Sequence, residues 1–222
     1  MAEIRSNIDA VRAEIRDACL RAKRQIETVS IIAVTKSQGP EVLTALLAGG
    51  LADFGENRID HLQLMHGHAP AGARFHAIGR VQSRQLPFIV ECCESLHSLC
   101  DITHARKLAT LTQAAGKRLS VFLQVNASAE ASKAGMAPQD AAPFLGLMRQ
   151  LPGLEVVGLM TMAPEMPSGQ PDDGRIRACF RTLSDLGKRL GLPRLSMGMS
   201  QDFGIAIEEG ATDVRIGTRL FA

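Results

Sequence analysis

The strongest constraint on the fold is a rhythm. After a helical opening, short runs of β-branched and apolar residues alternate with helical stretches to the end of the chain. The runs read as strands at 30–36 (SIIAVTK), 52–57 (ADFGEN), 74–79 (RFHAIG), 95–100 (SLHSLC), 119–126 (LSVFLQVN), 154–162 (LEVVGLMTM), 194–200 (RLSMGMS) and 213–218 (DVRIGT). Helices are predicted between most of them, at 40–48, 57–66, 101–115, 138–150, 173–190 and 201–209. Eight strands separated by helices predict an α/β fold, a single (β/α)8 TIM-like barrel of parallel strands, with a doubly wound sheet as the alternative. Ahead of the first strand, Ile4, Ile8, Val11, Ile15, Ala18, Ala22 and Ile26 recur at spacings of three and four, which predicts an extra N-terminal helix over 3–26 packed on the barrel. A length of 222 residues is short for a barrel, and no composition shift marks a linker, so one domain over 1–222 is expected.

Charge and composition exclude several functions. The chain carries 25 basic and 23 acidic residues, and no basic stretch is interleaved with aromatics, so a nucleic-acid partner is not expected. No apolar run approaches the roughly 18 residues of a membrane span. The N-terminus lacks a signal-peptide core, and Glu3, Asp9, Glu14 and Asp17 make it too acidic for a transit peptide. The five cysteines are scattered without metal or redox spacing, which fits free thiols in a reducing cytoplasm, and Cys92-Cys93 reads as a pair of buried, inert thiols. His61, His66 and His68 do not fall on one helix face, so no metal site is expected. The chain contains no Trp and no Tyr, so no phenol can act as an acid or base.

A barrel places its chemistry at the C-terminal ends of its strands. There this chain has Thr35-Lys36, Gly55-Glu56-Asn57, Gly79-Arg80, Asn126, Met199-Ser200 and Gly217-Thr218. Lys36 follows an apolar run, and period two sets it on the face of Ile32 and Val34. A desolvated lysine favours the neutral amine, the form that attacks an aldehyde to make a Schiff base; the alternative is a solvated lysine just past the strand. In the last strand Val214 and Ile216 should face the helices, which turns Arg215 inward. It then meets either a ligand or an acidic neighbour such as Asp213 or Glu209. The small and hydroxyl residues Gly198-Met199-Ser200 and Gly217-Thr218 suit a phosphate bound after strands seven and eight. Together, a Schiff-base lysine, a phosphate cradle and an inward arginine describe a pyridoxal phosphate pocket.

The segments IIAVTK, FGEN, FHAIG with VQS, NASAEASKAG, GLM, LSMGMSQD and AIEEGATDVRIGT occur in order over nearly the whole chain. This series resembles the pyridoxal phosphate homeostasis protein family (the YggS-like proteins), whose barrel is of the alanine-racemase type. The resemblance implies that Lys36 carries pyridoxal 5'-phosphate as an internal aldimine. It implies that Ser200, Gly217 and Thr218 hold the phosphate, that Arg215 faces the pyridine nitrogen, and that Asn57 and Met160 line the ring. His76 matches the strand-three motif without a derived role. Three departures stand out: Arg84-Gln85 where the family commonly has Asn-Lys, Phe203-Gly204 in the helix after GMS, and an end at Phe221-Ala222. They fall at the pocket rim and the C-terminal seam.

Two functions share such a pocket. One is a carrier in intracellular cofactor homeostasis, which stores or delivers pyridoxal phosphate, possesses no robust turnover and has apo pyridoxal-phosphate enzymes as its partners. The alternative is an amino-acid racemase of the alanine-racemase type. Two-base racemisation conventionally pairs the cofactor lysine with a tyrosine, and this chain has none to offer, even from a second copy in a dimer. The carrier is therefore the expected reading, as a cytoplasmic protein that is a monomer or weak homodimer. A Schiff-base aldolase fits the lysine but has no matching series. Lys133, in the SKAG segment, reads as a solvated lysine.

Overall fold

The alternation of apolar runs closes on itself. The structure, a computed structural model, describes residues 2–128, 130, 133–165 and 172–222. Part of the NASAEASKAG segment, at Ala129, Ala131 and Ser132, lies outside the described residues. The strands are β1 (Ser30–Val34), β2 (Asp53–Glu56), β3 (Arg74–Ala77), β4 (Cys93–Leu99), β5 (Leu119–Gln124), β6 (Leu154–Met160), β7 (Arg194–Met199) and β8 (Asp213–Ile216). Each pairs in parallel with the next, and β8 pairs with β1, giving a closed eight-stranded barrel. The helices among the described residues are α1 (Ala2–Arg21), α2 (Glu41–Ala48), α3 (Ile59–Gly67), α4 (Leu86–Cys92), α5 (Ile102–Ala114), α6 (Ala141–Met148), α7 (Asp173–Leu190), α8 (Phe203–Glu208) and α9 (Thr218–Phe221).

The helix ends follow from local chemistry. Asp172 caps α7 by accepting from the Arg175 amide at 3.1 Å, Lys188 and Arg189 occupy its last turn, and Gly191 closes it in the left-handed region at φ 67. Helix α1 buries Ile8, Val11, Ile15 and Ala18 against α2, α8 and α9. It stops at Arg21, short of the expected residue 26, because Lys23 turns left-handed at φ 54 and the Arg24 amide bonds back to the Cys19 carbonyl at 2.9 Å. Two short helices escape the sequence pattern. Helix α4 has only seven residues, begins at Leu86-Pro87 and runs straight into β4, which starts at Cys93 and not at Ser95. Helix α9 takes up Thr218, which the strand reading had included in β8. Cys92 and Cys93 are half-buried, not buried as expected, and their sulfurs lie 3.8 Å apart.

The two faces of the sheet differ in chemistry. The outer face joins the helices in a large apolar core: Ala33, Phe54, Phe75, Leu123, Val214 and Ile216 all belong to it. The inner face is narrower and more polar. Register sets Val34, Gly55, His76 and Ser95 side by side across β1 to β4, and pairs Ile32 with Arg215. Neighbours in a parallel ladder point the same way, so the expected inward turn of Arg215 is realised. Close packing of this interior demands small residues: a Cβ on Gly158 would lie 2.1 Å from the Arg194 carbonyl oxygen.

Candidate functional site

The C-terminal ends of the strands surround a cavity of about 470 Å³. All seven residues expected at the site line it: Lys36, Asn57, Met160, Ser200, Arg215, Gly217 and Thr218. Val34, Ile78, Gln124, Met162, Met199 and Asp202 complete much of the wall. Gln124 replaces Asn126 as the contribution of the fifth strand. The strand ends at Gln124, and the Asn126 amide instead ties its own loop together by donating to the Glu130 carbonyl at 2.8 Å.

Lys36 sits two residues beyond β1 in a turn, and its side chain is exposed, so its amine is presented to the cavity from a solvated position and not from a desolvated one. The turn is firmly held. Thr35 is fully buried and its hydroxyl donates to Glu56, a carboxylate with no exposed side-chain surface. Glu56 also accepts from His61 Nδ1 at 2.8 Å, and His61 Nε2 reaches the Gln38 carbonyl at 3.0 Å. Both partners of His61 are acceptors, so the ring serves both by carrying two protons. Burial pushes the His61 pKa down, but its bonds to Glu56 and Gln38 outweigh this and raise it above the ordinary value. The latch spans Thr35 to Gln38 and braces Ser37, a non-glycine residue at φ 68.

Arg215 is the cationic floor. It is buried, and its two terminal nitrogens donate to Ser196 Oγ at 2.6 Å and to the Thr161 carbonyl at 2.9 Å. No carboxylate pairs with it among the described residues: Asp213 bonds Arg194, while Glu209 bonds Arg177 and Arg181. The acidic neighbours proposed from sequence are therefore occupied elsewhere. Burial pushes the Arg215 pKa down to about 10, which leaves it a cation at neutral pH.

The opposite wall is built from β7, β8 and the residues after them. Gly198 turns at φ 92, where a Cβ would lie 2.6 Å from that of Ala206, so the chain can pass close beneath α8. The Gly217 amide donates to Ser200 Oγ at 3.2 Å, which joins the two loops, and a Cβ on Gly217 would crowd the Val34 carbonyl at 3.2 Å. Thr218 opens α9, so its amide has no intrahelical acceptor. Asp202 anchors the turn by accepting from the Met199 amide at 2.6 Å, and burial raises its pKa. Asp202 was missed from sequence, although a carboxylate directly after the seventh strand was a visible signal.

The remaining candidates disperse. His61 belongs to the latch, His66 packs edge-on against Phe75 and Phe88, and His68 bonds the Leu64 carbonyl. Lys133 is not solvated as expected: its side chain is 10% exposed and lies 3.3 Å from Glu130.

Comparison with known proteins adds three findings. A family model described as "Alanine racemase, N-terminal domain" matches residues 6–222. A pyridoxal phosphate homeostasis protein of Pseudomonas aeruginosa is 39% identical, covering 100% of this chain and 96% of its own, and one of Aquifex aeolicus is 34% identical over 96% and 95%. Among solved structures, PipY of Synechococcus elongatus with pyridoxal phosphate bound superposes with a TM-score of 0.82 at 26% identity, covering 99% of this chain and 100% of PipY. An alanine racemase of Clostridium difficile shares the fold at a TM-score of 0.79 and 12% identity, with this chain spanning 56% of its length.

Proposed function

Because the chain belongs to the pyridoxal phosphate homeostasis protein family, we propose that it binds pyridoxal 5'-phosphate and serves in its intracellular storage and delivery, as a carrier and not an enzyme. The single observation that carries this is the convergence on one cavity of a primary amine, a buried guanidinium with no carboxylate partner among the described residues, and a cluster of hydroxyl and amide donors. The donor set fits the group. When bound, the cofactor supplies an aldehyde reactive toward amines and a pyridine ring that can withdraw electrons.

In this reading Lys36 Nζ is the amine that holds the cofactor covalently, and the latch of Glu56 and His61 fixes the turn that presents it. Ser200, Gly217 and Thr218 bind the phosphate with hydroxyl and backbone donors. Asn57 and Met160 flank the ring. Arg215 faces the ring nitrogen; a cationic donor there opposes protonation of that nitrogen, which weakens electron withdrawal by the ring. The absence of tyrosine removes the second base that racemisation conventionally needs. Barrel and α1 act as one domain. We place the carrier in the cytoplasm as a monomer or weak homodimer, with apo-enzymes as recipients and neither nucleic acid nor membrane as a partner; no described helix is long and apolar enough to cross a membrane.

The test is direct. Purified protein given pyridoxal phosphate should acquire visible absorbance, and borohydride should fix the cofactor on the peptide containing Lys36. Lys36→Ala should abolish both, and labelling that survives that substitution would overturn the assignment. Robust conversion of L-alanine to D-alanine would overturn the carrier reading.

A further inference from the structure

We infer that Asp53, His76, Ser95, His97, Ser196 and Arg215 form one directed hydrogen-bond chain through the barrel, and that His97 is a positioning residue for the Arg215 guanidinium. The inference rests on the reading of Arg215 as the partner of the cofactor ring. It also gives His76 a place.

The contacts are continuous. His76 Nε2 lies 3.0 Å from Asp53 Oδ1, and His76 Nδ1 lies 2.7 Å from Ser95 Oγ. Ser95 Oγ is 2.7 Å from His97 Nε2, His97 Nδ1 is 2.8 Å from Ser196 Oγ, and Ser196 Oγ is 2.6 Å from Arg215 Nη1. With both histidines neutral, only one arrangement of protons uses every link. A guanidinium can only donate, so Ser196 Oγ accepts from Arg215, and its own hydrogen passes to His97 Nδ1. His97 is then protonated at Nε2 and donates to Ser95, which donates to His76 Nδ1, and His76 Nε2 donates to the Asp53 carboxylate. The reverse assignment would leave the Ser196 hydrogen unused in the chain and aim a lone pair of His76 at the carboxylate. Each link therefore runs from the cation in the cavity toward the anion at the opposite mouth of the barrel.

The chain also crosses the barrel. His97 stands on β4 and Ser196 on β7, strands that are not neighbours in the sheet, so their bond spans the interior. The imidazole cannot readily turn away, because it stacks on Phe122 with centroids 4.1 Å apart and an interplanar angle of 29°. Complete burial and the nearby cations Arg215 and Arg194 keep His97 neutral, with its pKa well below the ordinary value. A neutral ring of fixed tautomer orients the Ser196 hydroxyl, and an oriented hydroxyl leaves its lone pairs for Arg215. Nη2 is fixed independently by the Thr161 carbonyl, so the guanidinium plane is set from two sides.

A double-mutant cycle tests this on the full-length protein with pyridoxal phosphate, reading the dissociation constant and the visible absorbance maximum. His97→Phe keeps a flat ring on Phe122 and removes both nitrogens. It should weaken binding by about tenfold and shift the absorbance maximum; in an Arg215→Ala background the same substitution should change affinity by less than about twofold. Equal effects in both backgrounds, or none in either, would overturn the positioning role while leaving Lys36 labelling of the wild type intact. Failure of the wild type to bind pyridoxal phosphate would overturn both readings. Should His97→Phe not fold, Ser196→Ala completes the same cycle. Nitrogen NMR of the wild type provides an independent check: a neutral Nε2-protonated His97 is expected, and the Nδ1-protonated or doubly protonated form would refute the chain.

Discussion

His61 and His97 both stand within hydrogen-bonding reach of the machinery around the cavity, yet the structure shifts their pKa values in opposite directions. His61 lies between a carboxylate and a carbonyl, two groups that only accept, and its pKa is raised. His97 lies between two serine hydroxyls, with two arginines nearby, and its pKa is depressed. Burial disfavours the charged form in both. The partners decide the outcome, because an anion can repay the desolvation of an imidazolium and a hydroxyl cannot. The Lys36 turn is thus held by an ion pair, and Arg215 by a neutral, tautomer-fixed network.

Removing His97 outright should produce the largest effect. His97→Ala deletes a fully buried ring stacked on Phe122 and leaves two serine hydroxyls without their partner. A loss of about 4 kcal/mol in unfolding free energy is expected from the cavity and the unsatisfied groups together, measured by urea denaturation. A loss below about 1 kcal/mol would show that the interior re-satisfies its hydroxyls without the imidazole.

The latch should respond less, and mainly through pH. His61→Gln retains an amide donor but removes the cation, so a loss of about 1–2 kcal/mol is expected near pH 6. Because the folded-state pKa of His61 is raised, its contribution is fully present below the unfolded value of roughly 6.5 and is lost as pH rises through the folded value. The difference between wild type and His61→Gln should therefore shrink on going to alkaline pH. His97 has the opposite sign. Its folded pKa is depressed, so the wild type should lose stability as pH falls below roughly 6.5, and His97→Phe should remove that acid-side slope. Denaturation midpoints of the three proteins between pH 5 and 9 separate the two histidines; slopes of the same sign would break the contrast.

These two networks also mark where the sequence is legible. Arg215 could be read as inward because β8 alternates strictly, with Val214 and Ile216 in the apolar core on the other face. Lys36, Ser200, Gly217 and Thr218 could be read because a parallel barrel gathers its strand ends at one mouth. His97 and Ser196 could not be paired, since they are 99 positions apart on non-adjacent strands and meet only when the barrel closes. The Glu56 to His61 contact is local, yet it depends on α3 beginning at Ile59, two residues later than the periodicity placed it. The same two-residue limit on strand ends moved the fifth-strand wall residue from Asn126 to Gln124. Helix α4 was lost for another reason: seven residues make barely two turns, too few for a period to emerge beside Pro87.

The smallest effect belongs to the outer end of the chain. Arg74 bonds Asp53 at 2.8 Å and 2.6 Å; burial pushes the Asp53 carboxyl up, but its hydrogen bonds from His76 and Arg74 outweigh this and hold it well below the usual carboxylate range. Half of the Arg74 side chain is exposed, so water and salt screen most of its attraction. Arg74→Gln should cost about 0.5 kcal/mol or less, and the difference should fade in 1 M salt. Asp53 retains the donor from His76 Nε2, so the proton order along the chain survives and the absorbance of the loaded protein should not move. A shift of that absorbance in Arg74→Gln would mean that charge at the open mouth is transmitted to Arg215, and that the neutral network relays more than orientation.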